Sequence, residues 1–287
     1  VARYQVTDDF NVYGSISKGY KAGGLSVGNN TNADGQPAFI VPFDEETLWN
    51  YEVGFKSEVW DNRVRLNAAL FRLEWEDLQM ESFRFLTPGD LSSNFEQTIN
   101  IEEAEATGVE IELMAALTEN LTIVGSYGFL DSEITSNTTA EITGGFMVDL
   151  EGLELPKAPE NTFNISAEYR WPVGNNEAWV QVEFISRDGQ FADIEGLTYR
   201  QTDGPSPNSG LARNSIGTFG DFPFRTPDYD LWNIRAGFEM EHWRITGYIQ
   251  NLNEEEYYTG TQENFGVSGF RLRPHPRVVG GSITYSF

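Results

Sequence analysis

Val279-Gly280-Gly281-Ser282-Ile283-Thr284-Tyr285-Ser286-Phe287 is the stretch that decides the fold. Its odd-numbered positions are Val, Gly, Ile, Tyr and Phe, and its even-numbered positions are Gly, Ser, Thr and Ser. A period of two predicts a β-strand with one apolar and one polar face. A soluble edge strand of this kind would leave Tyr285 and Phe287 in water and its backbone groups open to aggregation. In a membrane barrel the apolar face meets lipid and both edges are paired, so we expect a barrel strand here.

The composition is compatible with a membrane barrel. The chain has 287 residues, of which 39% are hydrophobic and 14% aromatic. No run approaches the ~18–20 apolar residues that a membrane helix needs. Barrel strands alternate lipid-facing and lumen-facing residues, which dilutes the hydrophobic signal. The high aromatic content fits the girdles that such barrels carry at both membrane interfaces.

The charge and the reactive residues exclude several classes of function. A formal net charge of −25 argues against nucleic-acid binding, which needs a basic surface. Acidic runs such as Asp44-Glu45-Glu46 and Glu254-Glu255-Glu256 are expected to be solvated loops rather than metal sites. The chain has no cysteine, and its histidines, His242 and His275, are not accompanied by a visible serine-plus-acid arrangement. We therefore predict no enzyme activity, no cofactor and no metal site.

Alternating segments recur along the whole chain, separated in turn by tight turns and by long loops. A phase change near Ala68-Ala69 is interpreted as a β-bulge. The predicted strands are Ala2–Val6, Phe10–Lys18, Leu48–Val59, Val64–Met80, Thr107–Leu117, Leu121–Leu130, Phe163–Trp171, Trp179–Phe184, Trp232–Glu239, Trp243–Gln250 and Val279–Phe287.

The order of turns and loops predicts an antiparallel transmembrane β-barrel. Outer-membrane barrels have short periplasmic turns and long extracellular loops. Counting backwards from Phe287 places every tight turn on one side and every long loop on the other. A soluble sandwich would instead turn the apolar faces inward across a dry core. The polar faces should line the lumen, as a hydrated wall against a plug rather than as ligand contacts; their charged residues are Glu52, Lys56, Glu58, Glu110, Glu112, Glu168, Arg170, Arg235, Glu239 and Arg244.

Several blocks resemble, in family order, those of TonB-dependent outer-membrane receptors. Ser17–Gly24 is similar to the family's S-x-G-[FY]-K-A-G-G, and Glu45–Ser57 to its Y-E-x-G-x-K-S strand. The second departure from an otherwise close match is small: Asn253-Glu254 stands where the family usually has Asp. The further blocks are Arg65–Phe71 with Trp75–Gln79, Ala106–Glu112, Leu155–Thr162, Asn251-Leu252 with Tyr257-Tyr258, and Pro276–Phe287.

This resemblance implies a fold, a function and partners. The family's barrel has about 22 strands around an N-terminal plug, so residues 1–287 would be the C-terminal part, about eleven strands, of the barrel domain. A chain that starts at Val1 without an export signal is expected to be the back part of a longer protein, without the plug or the segment that contacts TonB. The expected function is TonB-energised uptake of a ferric siderophore or another iron complex through a Gram-negative outer membrane. Expected partners are outer-membrane lipid, the plug, TonB, the barrel-assembly machinery and the ferric siderophore.

Other functions stay open at this point. Some family members import cobalamin, haem or glycans. A passive porin-like or adhesin barrel would have an open channel and no plug, and a soluble β-solenoid or sandwich would be a binding module.

The candidate site residues fall into two groups. Aromatic residues in or beside long loops could grip an apolar or aromatic siderophore, or could equally be girdle or loop-packing residues: Tyr199, Phe219, Phe222, Phe224, Tyr257 and Tyr258. In the family the last strand is the signal for barrel assembly, which here implies Ile283, Tyr285 and Phe287. That strand is expected either as a free edge of an open half-barrel or within a smaller closed barrel.

Overall fold

A computed structural model describes most of the chain. It covers residues 1–27, 39–85, 94–142, 146–191, 226–264, 268–272, 274 and 276–287. Within this part, no helix is long and apolar enough to cross a membrane. In chain order the strands are β1 (Ala2–Thr7), β2 (Phe10–Lys21), β3 (Gly24–Val27), β4 (Ile40–Phe43), β5 (Glu46–Val59), β6 (Val64–Phe85), β7 (Asn94–Ala116), β8 (Leu121–Ile134), β9 (Thr139–Ile142), β10 (Phe146–Asp149), β11 (Asn161–Val173), β12 (Asn176–Arg187), β13 (Tyr229–Glu239), β14 (Trp243–Gln250), β15 (Gly260–Asn264), β16 (Ser268–Leu272) and β17 (Val278–Tyr285).

Eleven of these strands form one sheet, as the sequence predicts. Its order is β1-β2-β5-β6-β7-β8-β11-β12-β13-β14-β17, and every neighbouring pair is antiparallel. β1 and β17 stand at the two ends of this order, which is the open one of the two expected arrangements. The all-β antiparallel architecture is therefore confirmed.

The connections differ sharply between the two ends of the sheet. At one end, here called the turn end, they are the short segments 8–9, 60–63, 117–120, 174–175 and 240–242. At the other, here called the loop end, lie 22–45, 86–93, 135–160, 188–228 and 251–277. The alternation of turns and loops that the sequence predicts is confirmed.

The cross-strand register places the apolar residues on one face, the outer face. One row of directly paired residues crosses nine strands, and every member is apolar: Val59, Val64, Ala115, Ile123, Ala167, Val182, Ile234, Ile249 and Val279. Val279 is 71% exposed, so this face is not covered by other parts of the described chain. A continuous exposed apolar face suits lipid rather than water.

The phase change of β6 lies at Asp77, and the bulge predicted near Ala68-Ala69 is wrong. Both alanines pair in regular register with β5 and β7. Asp77 has a φ of 55°, in the left-handed region that aspartate tolerates better than most residues. Trp75 and Leu78, three residues apart, consequently pack against the same cluster. Regular alternation would have placed them on opposite faces.

The loop end contains more strand than the sequence predicts. β7 begins at Asn94 rather than at Thr107, and with 23 residues it pairs along its length with the 22 residues of β6. Membrane strands need only about 9–11 residues, so this hairpin extends beyond the rest of the wall. Three shorter hairpins, β3–β4, β9–β10 and β15–β16, lie within segments predicted as loops. A small core of Met80, Ile101, Ala104, Ile134 and Leu150 stabilises the base of the extension.

Candidate functional site

The loop end is the candidate site because the predicted ligand residues map there. Tyr199, Phe219, Phe222 and Phe224 lie outside the described residues. Tyr257 and Tyr258 are described and follow β14 at the loop end. The structure thus places two of the six aromatic candidates, and ligand contact by any of them stays a prediction.

Tyr257 packs against Tyr229, a residue that the sequence did not single out. The two ring centroids are 4.8 Å apart, and the rings are tilted by 43°. Burial, followed by the neighbouring Tyr229, raises the pKa of the Tyr257 hydroxyl above its ordinary value. Tyr229 is the first residue of β13, and its direct partner on β12 is Arg187. An aromatic pair with a cation one strand away is an arrangement that can contact a flat, anionic ligand.

Asn251 holds the start of the loop that carries these tyrosines. It is only 3% exposed and has a φ of 53°. Its side chain bonds both polar groups of Glu255, with its amide donating to Glu255 O (2.9 Å) and its oxygen accepting from Glu255 N (2.8 Å). Its own N–H donates to Asn233 Oδ1 at 2.9 Å. Arg277 closes the other side of the loop, donating to Leu252 O at 2.6 Å.

The base of the connection between β12 and β13 is held in the same way. Asn161 donates to Asp188 Oδ2 from its main chain (3.1 Å) and from its side chain (2.7 Å). Tyr127 donates its hydroxyl to Asn161 Oδ1 at 2.7 Å. On the far side, Gly189 N donates to Asp228 Oδ1 at 2.6 Å. Polar side chains at the loop end therefore bind the backbone of the loops they precede or follow.

A third set of such bonds involves Gln79 and Asn100, which face each other on β6 and β7. The Gln79 amide donates to Ala22 O (3.0 Å) and Asp44 O (2.9 Å). Asn100 donates to Asp44 O (3.1 Å) and accepts from Asp44 N (2.8 Å). Sequence reasoning missed both residues, although Gln79 ends the block Trp75–Gln79. The available signal was a polar residue of a motif beyond the point where the membrane strand should end.

The polar face of the sheet carries the charges predicted for the lumen. Tyr13 donates its hydroxyl to Glu52 Oε1 at 2.6 Å. Near the turn end Arg170 contacts Glu168 (2.6 Å), Glu177 (2.6 Å) and, more distantly, Glu239 (3.7 Å). All ten predicted wall residues fall on this face by cross-strand register.

Aromatic side chains on the polar face lie over glycines of the adjacent strand. Phe71 is the direct partner of Gly108, and a Cβ at Gly108 would overlap the Phe71 ring. The same relation holds for the pairs Tyr13 with Gly54, Trp179 with Gly237, and Tyr248 with Gly280. Each ring lies along the wall, which stabilises the sheet at a residue that has no side chain of its own.

The predicted assembly-signal residues lie on the outer face of the last strand. Ile283 is 68% exposed and Tyr285 45% exposed. The Tyr285 ring contacts those of Trp243 (centroid distance 4.7 Å) and Phe287 (5.1 Å). These residues form an aromatic cluster at the turn end, and recognition by assembly machinery stays a prediction.

Metal ligands do not converge within the described ranges: no group of three or more His, Asp or Glu side chains there could hold an ion.

Comparison with known proteins gives a consistent result. The family model described as "TonB dependent receptor-like, beta-barrel" matches residues 1–252. The pesticin receptor of Yersinia pestis is 34% identical over 263 residues, which are 90% of this chain and 31% of the receptor. The ferric-pyoverdine 358 receptor of Pseudomonas putida is 28% identical over 290 residues, 99% of this chain and 28% of that receptor.

A solved structure shows the same fold. The ferric yersiniabactin uptake receptor FyuA from Yersinia pestis superposes with a TM-score of 0.69 at 21% identity, covering 99% of this chain and 36% of that one. The chain spans roughly a third or less of the length of these relatives.

Proposed function

The chain belongs to the TonB-dependent receptor-like β-barrel family, whose members are outer-membrane proteins of Gram-negative bacteria, and from this premise we propose that it is the C-terminal part of a receptor for a ferric siderophore or another iron complex. The domain that it represents is then residues 1–287 of the barrel. The observation that carries the proposal is the eleven-stranded sheet with an apolar outer face and all its long connections at one end. The names of the pesticin, pyoverdine and yersiniabactin receptors support it.

The geometry assigns different tasks to the two faces and the two ends. The outer face takes the lipid, because a charge there would cost ~2–4 kcal/mol at mid-bilayer. The loop end takes the ligand, with Tyr257 and Tyr229 as contacts. The polar face takes a plug, and carboxylates such as Glu52 and Glu110 are suited to its basic side chains. TonB, contacted through a segment outside this chain, supplies the energy for transport.

Uptake by the full-length receptor tests the function. A strain that lacks its own receptors is supplied with the full-length gene and with radioactive iron as ferric yersiniabactin, ferric pyoverdine or a panel of other ferric siderophores. We expect saturable uptake of at least one complex, abolished by removal of TonB. Uptake that persists without TonB would indicate a passive channel, and absence of uptake and of growth on every iron source tested would overturn the proposal.

The terminal aromatic cluster is proposed to contact the barrel-assembly machinery through Ile283, Tyr285 and Phe287. Replacing Phe287 with serine removes an exposed aromatic ring from the outer face without changing the pairing of β17 with β14. We expect at least a severalfold loss of receptor in the outer membrane, measured by fractionation and heat-modifiable gel migration. A Ser286→Ala variant is the matched control on the polar face. Normal surface levels of Phe287→Ser would contradict this assignment.

A further inference from the structure

Gln79 joins the two ends of the connection between β2 and β5 to the β6–β7 extension. Its side chain is 9% exposed. The amide donates to Ala22 O, just after β2, and to Asp44 O, just before β5. Its main-chain N–H donates to Glu46 Oε2 at 2.8 Å, at the start of β5. One side chain on β6 thus contacts both ends of the same loop.

Asn100 completes this contact from the opposite strand. It bonds the N–H and the C=O of Asp44 at once, and it also donates to Asp77 O at 2.9 Å. That last bond supports the left-handed backbone at Asp77, which brings the side chains of the extension into phase with the core beneath it. Farther out, Thr98 N donates to Ser26 Oγ on β3 at 2.9 Å.

These bonds orient the loop but are not required by the wall. β2 and β5 already pair from Phe10–Ser57 to Lys21–Glu46. Removing the Gln79 amide therefore leaves the wall hydrogen bonds in place, and it releases the β3–β4 hairpin from the extension. A loop whose base is fixed loses less conformational entropy when a ligand binds.

We propose that Gln79 and Asn100 are positioning residues, which hold the β3–β4 hairpin at the loop end in the orientation that captures the ligand. They act through Ala22 and Asp44 and do not touch the ligand. This inference rests on the proposed function, because it assigns residues to the capture step of the same receptor.

Substitutions in the full-length receptor test the inference. Gln79→Leu keeps a similar volume and removes both donors, and Asn100→Asp keeps the acceptor for Asp44 N but places a carboxylate against two carbonyl oxygens. Gln250→Leu, at the loop end of β14, is the matched control. Proteinase K on intact cells measures access to the segment between β3 and β4, and uptake of the ferric siderophore that the wild type transports measures KM and the maximal rate.

The expected pattern separates positioning from general damage. Gln79→Leu and Asn100→Asp should be cleaved faster between β3 and β4, and KM should rise about fivefold to tenfold with the maximal rate changed by less than about twofold. Gln250→Leu should match the wild type. Unchanged KM in both variants, or an equal rise for Gln250→Leu, would overturn the inference.

Two further outcomes are distinguishable. If Gln79→Leu does not assemble, Asn100→Asp and the longer Gln79→Glu decide the result by the same measurements. If the wild type transports no ferric complex, the proposed function itself fails, whereas transport with an unaltered KM in assembled variants counts against the inference alone.

Discussion

The wall of the sheet and its loop end are stabilised by different kinds of contact. In the wall, each residue meets its partners through backbone pairing, so one apolar row continues across nine strands. At the loop end, polar side chains such as Gln79, Asn161 and Asn251 bond the backbone of loops that are distant in sequence. The wall follows from a local pattern of side chains, whereas the loop end depends on particular long-range partners.

The largest expected effect tests the packing of the wall. A Cβ at Gly108 would lie 2.6 Å from Phe129 O and overlap the Phe71 ring. Because the oxygen belongs to the backbone, the neighbouring strand must move, and Gly108→Ala should destabilise the barrel by about 3 kcal/mol. Urea unfolding of the full-length receptor in lipid vesicles measures the loss.

Gly247→Ala is the control for this effect. Nothing lies within 4 Å of a Cβ placed there. We expect a change of less than about 0.5 kcal/mol. Equal losses for Gly108→Ala and Gly247→Ala would show that the contact between the ring and the glycine does not determine the packing of the wall.

This contrast also explains how much of the molecule the sequence predicts. The faces of the wall strands were correct throughout, because alternation is visible within each segment. The start of β7 was wrong, because Glu102, Glu103 and Glu105 break the alternation and are held in the strand only by pairing with β6. The partners of Tyr257 and Gln79 could not be predicted, since each contact joins residues separated by tens of positions.

The second prediction tests the loop end itself. Asn251 is buried and makes a hydrogen bond with each polar group of Glu255. Asn251→Ala leaves these groups without that partner and places a residue less tolerant of positive φ at 53°. We expect a loss of about 2 kcal/mol in the stability of the segment after β14, seen as faster hydrogen exchange there, with wall amides unchanged. A uniform increase in exchange over the whole wall would contradict the separation of the two regions.

A third prediction concerns charge in the wall. Arg170 contacts Glu168 and Glu177, each at 2.6 Å, and its side chain remains 37% exposed. Solvent screens such pairs, so Arg170→Met should cost only about 1 kcal/mol. Arg65→Met, which removes a single ion pair with Glu58 from a 57% exposed side chain, should cost less in the same unfolding assay. A larger loss for Arg65→Met would show that the number of carboxylate partners does not govern the stability of the polar face.

The smallest effect is a pH dependence confined to the β6–β7 extension. Burial, followed by the charge of Glu81 and its hydrogen bond, raises the pKa of Glu96 above its ordinary value. A raised carboxyl pKa contributes stability that is present below the unfolded pKa and is lost as the pH rises through the folded pKa. The extension should therefore be slightly more stable at mildly acidic than at neutral pH, by roughly a few tenths of a kcal/mol because Glu96 is largely solvated. Glu96→Gln should remove this dependence in hydrogen exchange of the extension, while Glu119→Gln, in the turn between β7 and β8, should not alter it. Because the wall amides lie far from this carboxyl pair, a pH response shared by wall and extension would show that the loop end is coupled to the wall rather than stabilised by its own contacts.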